Sequence, residues 1–179
     1  MSGWSITDMP DQTGRRVVVT GANSGLGEQM ALALGRAGAE VTLACRNLDK
    51  ARLVADQIGD NARVASLDLA DLASVRAFAD SFDGADVLIN NAGVMAVPLR
   101  RTADGFEMQI GTNFLGHFAL TGLVLDRIGD RVVTMSSLMH KSARLDVDDL
   151  NWERRKYNRW TAYGDSKLAD LMLALELAD

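Results

Sequence analysis

Five short apolar, β-branched runs alternate along this chain with stretches of helical periodicity, and that alternation leaves few folds open to it. The runs are "RRVVVT" ending at Thr20, "EVTLAC" ending at Cys45, "ARVASLD" ending at Asp68, "ADVLINN" ending at Asn91 and "DRVVTMSS" ending at Ser137. They are nearly continuous in apolar residues, as expected of strands covered on both faces. Helix-compatible segments fall at 26–37, 48–58, 72–82 and 105 to about 125, and the amphipathic stretch "RWTAYGDSKLADLMLALELAD" follows. A β-α-β-α rhythm implies parallel strands joined by right-handed crossovers, hence an α/β doubly wound parallel sheet. Ligands of such sheets bind beyond the carboxyl ends of the strands, so candidate chemistry is sought just after each run.

Composition narrows the class. A length of 179 residues with 47% hydrophobic content suits one packed domain over 1–179. A net charge of −5 argues against a nucleic-acid partner, which would need clustered cations. The short basic cluster Arg154, Arg155, Lys156 and Arg159 follows the acidic Asp146, Asp148 and Asp149, and the whole reads as a solvated loop. One cysteine, Cys45, cannot form an internal disulfide and suits a reducing, cytoplasmic setting. No signal pattern opens the chain and no apolar run reaches the roughly 18 residues of a membrane span, so a soluble protein is expected. His117 and His140 lack paired ligand spacing and Cys45 stands alone, so no metal is expected.

After the first run comes "TGANSGLG", with Gly21, Gly25 and Gly27. Glycines at a strand-to-helix turn permit a tight bend and let a pyrophosphate approach the backbone, where a helix N-terminus offers free N–H groups; a plain glycine turn is the competing reading. After the second run "ACRN" places Cys45 where an NAD-type site carries an acid, and Arg46 follows. A guanidinium there matches a 2′-phosphate and favours NADP, although a surface arginine at a helix start would look the same. Asp68 and Leu69 after the third run could hold an adenine ring, or Asp68 or Asp71 could cap the next helix. "NNAG", Asn90 to Gly93, offers two amides and a small-residue turn. Ser136 and Ser137 end the fifth run. Tyr163 and Lys167, four apart, share one helical face, and an ammonium beside a phenol stabilises the phenolate, which makes tyrosine a usable general acid or base.

Together, Thr20-Gly21-x-x-x-Gly25-x-Gly27, Asp68, Asn90-Asn91-Ala92-Gly93, Asn113, Ser137 and Tyr163-x-x-x-Lys167 resemble the short-chain dehydrogenase/reductase family, in family order over nearly the whole chain. "ACRN", "DGFEMQIGTNFLGHFALT" and "VVTMSSLMHK" look most like its retinol-dehydrogenase and WW-domain oxidoreductase branch and the bacterial relatives of that branch. The resemblance implies a Rossmann fold with strand order 3-2-1-4-5 and an NADP(H)-dependent oxidoreductase that interconverts a carbonyl and an alcohol. In it Tyr163 would exchange the proton, Lys167 would assist it and bond the nicotinamide ribose, Ser137 would polarise the substrate oxygen, and Asn113 would hold a water linking Lys167 to solvent. The implied cofactor site comprises Gly21, Asn23, Ser24, Gly25, Leu26, Gly27, Arg46, Asp68, Leu69, Asn90, Ala92 and Gly93, with Tyr163 and Lys167.

The 26 positions from Ser137 to Tyr163 exceed the spacing in much of the family. "LDVDDLNWERRKYNRW" is expected to form a loop at the substrate mouth, where Trp152, Tyr157 and Trp160 either line an apolar pocket or anchor the loop. His117 is expected to pack on the long helix. Family members continue past the Tyr–Lys helix with further strands that hold nicotinamide and substrate; the chain is therefore expected to be C-terminally truncated, with Leu168, Leu171, Met172 and Leu175 needing other cover. An apolar small-molecule substrate and a homo-oligomer fit the same resemblance. A non-catalytic NADP-binding protein, or a subunit completed by a partner chain, is the competing reading.

Overall fold

The computed structural model describes residue 3 and residues 5–178. Its strands are β1 (Arg16–Thr20), β2 (Glu40–Cys45), β3 (Ala62–Ser66), β4 (Ala85–Asn90) and β5 (Ile128–Thr134). The helices are α1 (Gly25–Arg36), α2 (Leu48–Ile58), α3 (Leu72–Asp80), α4 (Gly116–Val124) and α5 (Arg159–Glu176). Among the described residues the strands form one parallel sheet of order β3-β2-β1-β4-β5. This is the doubly wound Rossmann arrangement, and the strand ends Thr20, Cys45, Ser66, Asn90 and Thr134 share one edge.

The continuous apolar runs have a direct structural cause. Val17 and Val19 of β1, with Val41 and Leu43 of β2, pack against Ala31, Leu32 and Val54 of α1 and α2. Val18, the residue between, points the other way and joins Ala44 and Leu88 against Val75, Phe78, Leu120 and Val124 of α3 and α4. Successive side chains of a strand alternate faces, so a sheet with two cores needs apolar residues at every position. No helix among the described residues is long and apolar enough to cross a membrane.

Several boundaries differ from the sequence reading, β4 for one stopping at Asn90, before Asn91. β3 stops at Ser66, before Asp68. β5 stops at Thr134, three residues short of Ser137, because the Met135 carbonyl accepts from the Lys167 ammonium at 2.7 Å and draws the chain toward α5. The helical stretch expected from 105 begins instead at Met108, after a turn in which Thr102 N–H donates to the Phe106 carbonyl. It then widens into a π-turn over Ile110–Leu115 before α4.

The charged loop is solvated at Asp146, Asp148, Arg154, Lys156 and Arg159, as expected, but not throughout. Asp149 is buried and accepts from the Glu153 and Arg154 N–H groups, while Arg155 pairs with both Asp149 and Asp165 and lies 3.8 Å from the centre of the Trp152 ring. Asp149 and Arg155 attract each other across the loop, so Asp149 leaves solvent and Arg155 becomes partly buried. Trp152, 7% exposed, meets Tyr157 edge-on and anchors the segment, whereas Trp160 is 47% exposed beside an open depression with Tyr157 and Pro98.

Gly116 at the start of α4 lies so close to the β3–α3 connection that a Cβ there would stand 2.4 Å from the Leu69 carbonyl oxygen. A backbone oxygen yields poorly, so Gly116→Ala should lose more by overpacking than the helix gains in propensity. A net loss of about 2 kcal/mol, or roughly 4–8 °C in unfolding midpoint, is expected; a raised midpoint would show that α4 can retreat.

Candidate active site

A cleft of about 450 Å³ opens at the carboxyl edge of the sheet, between the turns that follow β1, β2, β3 and β4. Gly21, Asn23, Ser24, Leu26 and Gly27 form its floor on one side. Gly27 could carry no side chain, since a Cβ would meet Asn91 Nδ2 at 2.4 Å and the Gly21 carbonyl oxygen at 2.5 Å. Gly25 opens α1 beside them without lining the cleft. Arg46, exposed and with no ion pair among the described residues, stands at the far end next to Asn47, whose side chain caps α2 by accepting from Lys50 N–H. Asp68 and Leu69 line the cleft as well. The cap of α3 belongs to Asp71, which accepts from Ala73 and Ser74 N–H groups; Asp68 accepts from Ala70 N–H.

The turn after β4 divides its asparagines. Asn90 is 1% exposed and lies behind the wall, its amide donating to the Thr121 hydroxyl at 2.9 Å. Asn91 lines the cleft, with Ala92 and Gly93, and donates from Nδ2 to the Thr20 carbonyl at 2.8 Å. The side chain at the cleft wall is thus the second asparagine, because β4 ends at Asn90 with that residue still facing the core. Thr20 Oγ1 accepts from the Asn91 and Ala92 N–H groups, each at 2.9 Å, and so ties the turn to β1.

His117 completes this brace from α4. Its Nδ1 lies 2.7 Å from the Asn113 carbonyl, which can only accept, so Nδ1 carries the proton and Nε2 accepts from the Thr20 hydroxyl at 2.9 Å. Burial lowers its pKa to about 4, against the Asn113 bond, and the nearby Lys167 charge lowers it too. His117 is therefore a neutral strut between β1 and the π-turn.

A smaller recess of about 160 Å³ adjoins the cleft and shares Leu26, Asn91, Gly93 and Val94 with it. Tyr163 and Lys167 of α5 line this recess together, with Ser136 and Met135 opposite. Asn158 starts α5 by accepting from the Trp160 and Thr161 N–H groups, which aims the helix at β5. Ser136 Oγ donates to the Lys167 carbonyl at 2.7 Å and is spent on holding that helix. Ser137 accepts from Met139 N–H at 3.3 Å and caps the turn 138–142; its hydroxyl proton stays available, although Ser137 is not among the residues lining the recess.

Asn113 sits fully buried on the π-turn. Its side chain accepts from Val94 N–H at 2.8 Å and donates to the Val94 carbonyl and the Ser166 hydroxyl, each at 2.9 Å. The residue named for holding a water is thereby occupied as a clamp between the turn after β4 and α5. Its side-chain Oδ1, which accepts one bond from Val94 N–H, retains a lone pair for a further donor.

Two polar groups that the sequence reading passed over carry much of this geometry. Glu107 is 0% exposed and accepts from the Gln109 and Ile110 N–H groups and from Tyr157 Oη. Gln109 in turn accepts from Ala96 N–H and donates to Tyr157 Oη and the Arg159 carbonyl. Burial and the Glu107 charge raise Tyr157 to about 12, so its hydroxyl keeps its proton for these bonds. The second group is Asp170, which pairs with Lys167 at 2.8 Å in the interior. Its spacing of three from Lys167 is the one signal that could have marked it in advance. Among the described residues no three His, Cys, Asp or Glu side chains converge as a metal site would need.

A profile of short chain dehydrogenases matches residues 15–147. Retinol dehydrogenase 13 of Homo sapiens is 46% identical over 178 residues, covering 92% of this chain and 54% of its own length. A crystal structure of an uncharacterised protein from Mycobacterium paratuberculosis superposes with a TM-score of 0.96 at 55% identity, covering 98% of this chain and 66% of that one. A short chain dehydrogenase from Escherichia coli CFT073, solved complexed with NADPH, superposes with a TM-score of 0.72 at 26% identity over 94% of this chain and 72% of its own. The chain spans about half the length of the curated relatives it matches.

Proposed function

The chain belongs to the short chain dehydrogenase family, and from that premise we propose that it acts as an NADP(H)-dependent oxidoreductase interconverting an apolar carbonyl compound and its alcohol. The observation that carries this reading is the junction of the two cavities: Tyr163 and Lys167 line a recess that shares a wall with the glycine-floored cleft. The cleft fits a dinucleotide. Gly27 leaves its floor bare where a Cβ could not be accommodated, and Arg46 provides a guanidinium at the end where a ribose phosphate would lie.

When bound, NADPH supplies the hydride. Tyr163 gives its hydroxyl proton to the carbonyl oxygen as that oxygen gains negative charge, and takes a proton from the alcohol in the reverse direction. Lys167, held by Met135 and Asp170, favours the phenolate left behind and has one ammonium proton to spare for the recess. Ser137 donates to the same substrate oxygen. Asn113 keeps the turn after β4 and α5 at a constant separation through Val94 and Ser166, so it positions instead of reacting. Cys45 is a buried free thiol, in keeping with the cytoplasm as its compartment.

The direct test is NADPH consumption with a panel of apolar aldehydes and ketones, and cofactor reduction with the corresponding alcohols. Rates no higher than the protein-free blank for every pair would sink the proposal. Cofactor choice has its own test, because a hydrogen bond to a charged group contributes about 1.5–3 kcal/mol. Arg46→Ala should weaken NADPH binding by roughly 10–100-fold and barely alter NADH binding. Comparable losses for both, read by calorimetric titration, would remove the 2′-phosphate assignment.

A further inference from the structure

Lys167 and Asp170 form a buried ion pair whose side chains are 6% and 1% exposed. The ammonium donates to Asp170 Oδ2 at 2.8 Å and to the Met135 carbonyl at 2.7 Å, while the second carboxylate oxygen, Oδ1, is buried without a partner among the described residues. A half-satisfied interior carboxylate is costly, and it lies one helical turn from the lysine that shares a recess with Tyr163. We infer that Asp170 is a positioning residue of the proposed active site, holding the Lys167 ammonium against the end of β5 and setting, by its own ionisation, how much positive charge reaches Tyr163. The inference rests on the oxidoreductase reading for the role of Tyr163, but not for the charge pair.

The physical basis is elementary. Seen from the recess, an ammonium with an ionised carboxylate 2.8 Å away is nearly neutral, and the same ammonium beside a protonated carboxyl projects a full charge. The proton comes from and returns to solvent. Burial raises Asp170 to about 6, with the Lys167 charge and hydrogen bond opposing the rise, so the change falls in an accessible range. Of the titratable groups on the elements around it, His117 next to the π-turn, His140 and Lys141 on the turn after β5, and Asp130 and Arg131 of β5, none bonds Asp170. Lys167 is the charge acting on it among the described residues.

Asp170→Asn removes the carboxylate charge at nearly constant shape, and Asp170→Glu retains it. Alcohol oxidation, which needs the phenolate, should reach half its plateau rate about one pH unit lower in Asp170→Asn than in wild type, because Lys167 is no longer neutralised. Asp170→Glu should stay close to wild type. A purely structural role would lower the rate at all pH values without moving that midpoint, and this result would overturn the inference.

A second measurement needs no cofactor. A carboxyl raised from 3.8 to about 6 favours the folded state fully below pH 3.8, and this contribution is lost as pH rises through 6. Between pH 4 and pH 7, the stability of wild type should therefore fall relative to Asp170→Asn by up to about a hundredfold in the folding equilibrium. His117 titrates in both proteins and cancels in the difference. A difference that does not vary with pH would overturn the proposal. Absent turnover in wild type with the stability change intact would overturn the oxidoreductase reading and uphold the Lys167–Asp170 switch.

Discussion

Tyr163→Phe is expected to lower the turnover of carbonyl reduction by about 10²–10⁴-fold, the usual contribution of a positioned proton donor. Phenylalanine keeps the ring that lines the recess with Lys167 and removes only the hydroxyl, so the fold and the cleft beyond should be unaffected. NADPH affinity should accordingly change little, while the loss appears in kcat and persists at every pH, because no protonation state of phenylalanine replaces the missing donor. Single-turnover reduction of an apolar aldehyde by wild type and variant separates chemistry from release. Equal rates in the two proteins would remove Tyr163 from the mechanism and leave a cofactor-binding protein without proton transfer at that site.

The largest expected loss of stability is at Glu107. Glu107→Ala strands the Gln109 and Ile110 N–H groups in the interior and deprives Tyr157 Oη of one of its two acceptors, the other being the Val97 carbonyl. Each unsatisfied buried donor costs about 1–3 kcal/mol, so a total near 3–5 kcal/mol is expected. For a domain of this size that is roughly 6–20 °C in unfolding midpoint. Glu107→Gln, whose amide oxygen can still accept from both N–H groups, should lose far less. It should also let Tyr157 titrate below about 12, since the Glu107 charge contributes to that value after burial. Near-equal midpoints for Glu107→Ala and wild type would mean that water replaces the carboxylate, and that the node does not hold the segment before α5.

These two residues illustrate different kinds of legibility. Tyr163 stands four positions from Lys167 on an amphipathic helix, and the edge at which that helix must lie follows from the five apolar runs. The cleft-lining glycines, Arg46, Asp68 and Leu69 are likewise read from local pattern, because each follows soon after a strand end, whereas the sheet order is implied only by the family resemblance. Glu107 gives no such sign. Its partners come from the first turn of its own helix and from Tyr157, fifty positions later, which the loop 146–158 brings back through the Trp152 and Arg155 contacts. The same distance hid the burial of Asp149 and its pairing with the partly buried Arg155, read from their charge as a solvated loop.

Asn90 and Asn91 mark the boundary between the two. Amino-acid order alone specifies two amides after the fourth strand, at the edge where ligands bind. Which of them faces the cleft depends on the residue at which β4 stops, and that is decided by pairing with β5, where Asn90 stands opposite Thr134 and Met135 N–H reaches the Asn90 carbonyl. Hydrophobic periodicity dictates the faces of strands and helices because burial acts residue by residue along the chain, and from those faces come the parallel sheet, its ligand edge and the Tyr163–Lys167 pair. The partners of interior polar groups, Glu107 with Tyr157, Asn113 with Val94 and Ser166, Lys167 with Asp170 and Met135, are set by how the π-turn, α5 and the strand ends meet. A buried donor or acceptor must be satisfied by whatever the fold brings within about 3 Å of it, and sequence spacing does not record that neighbour.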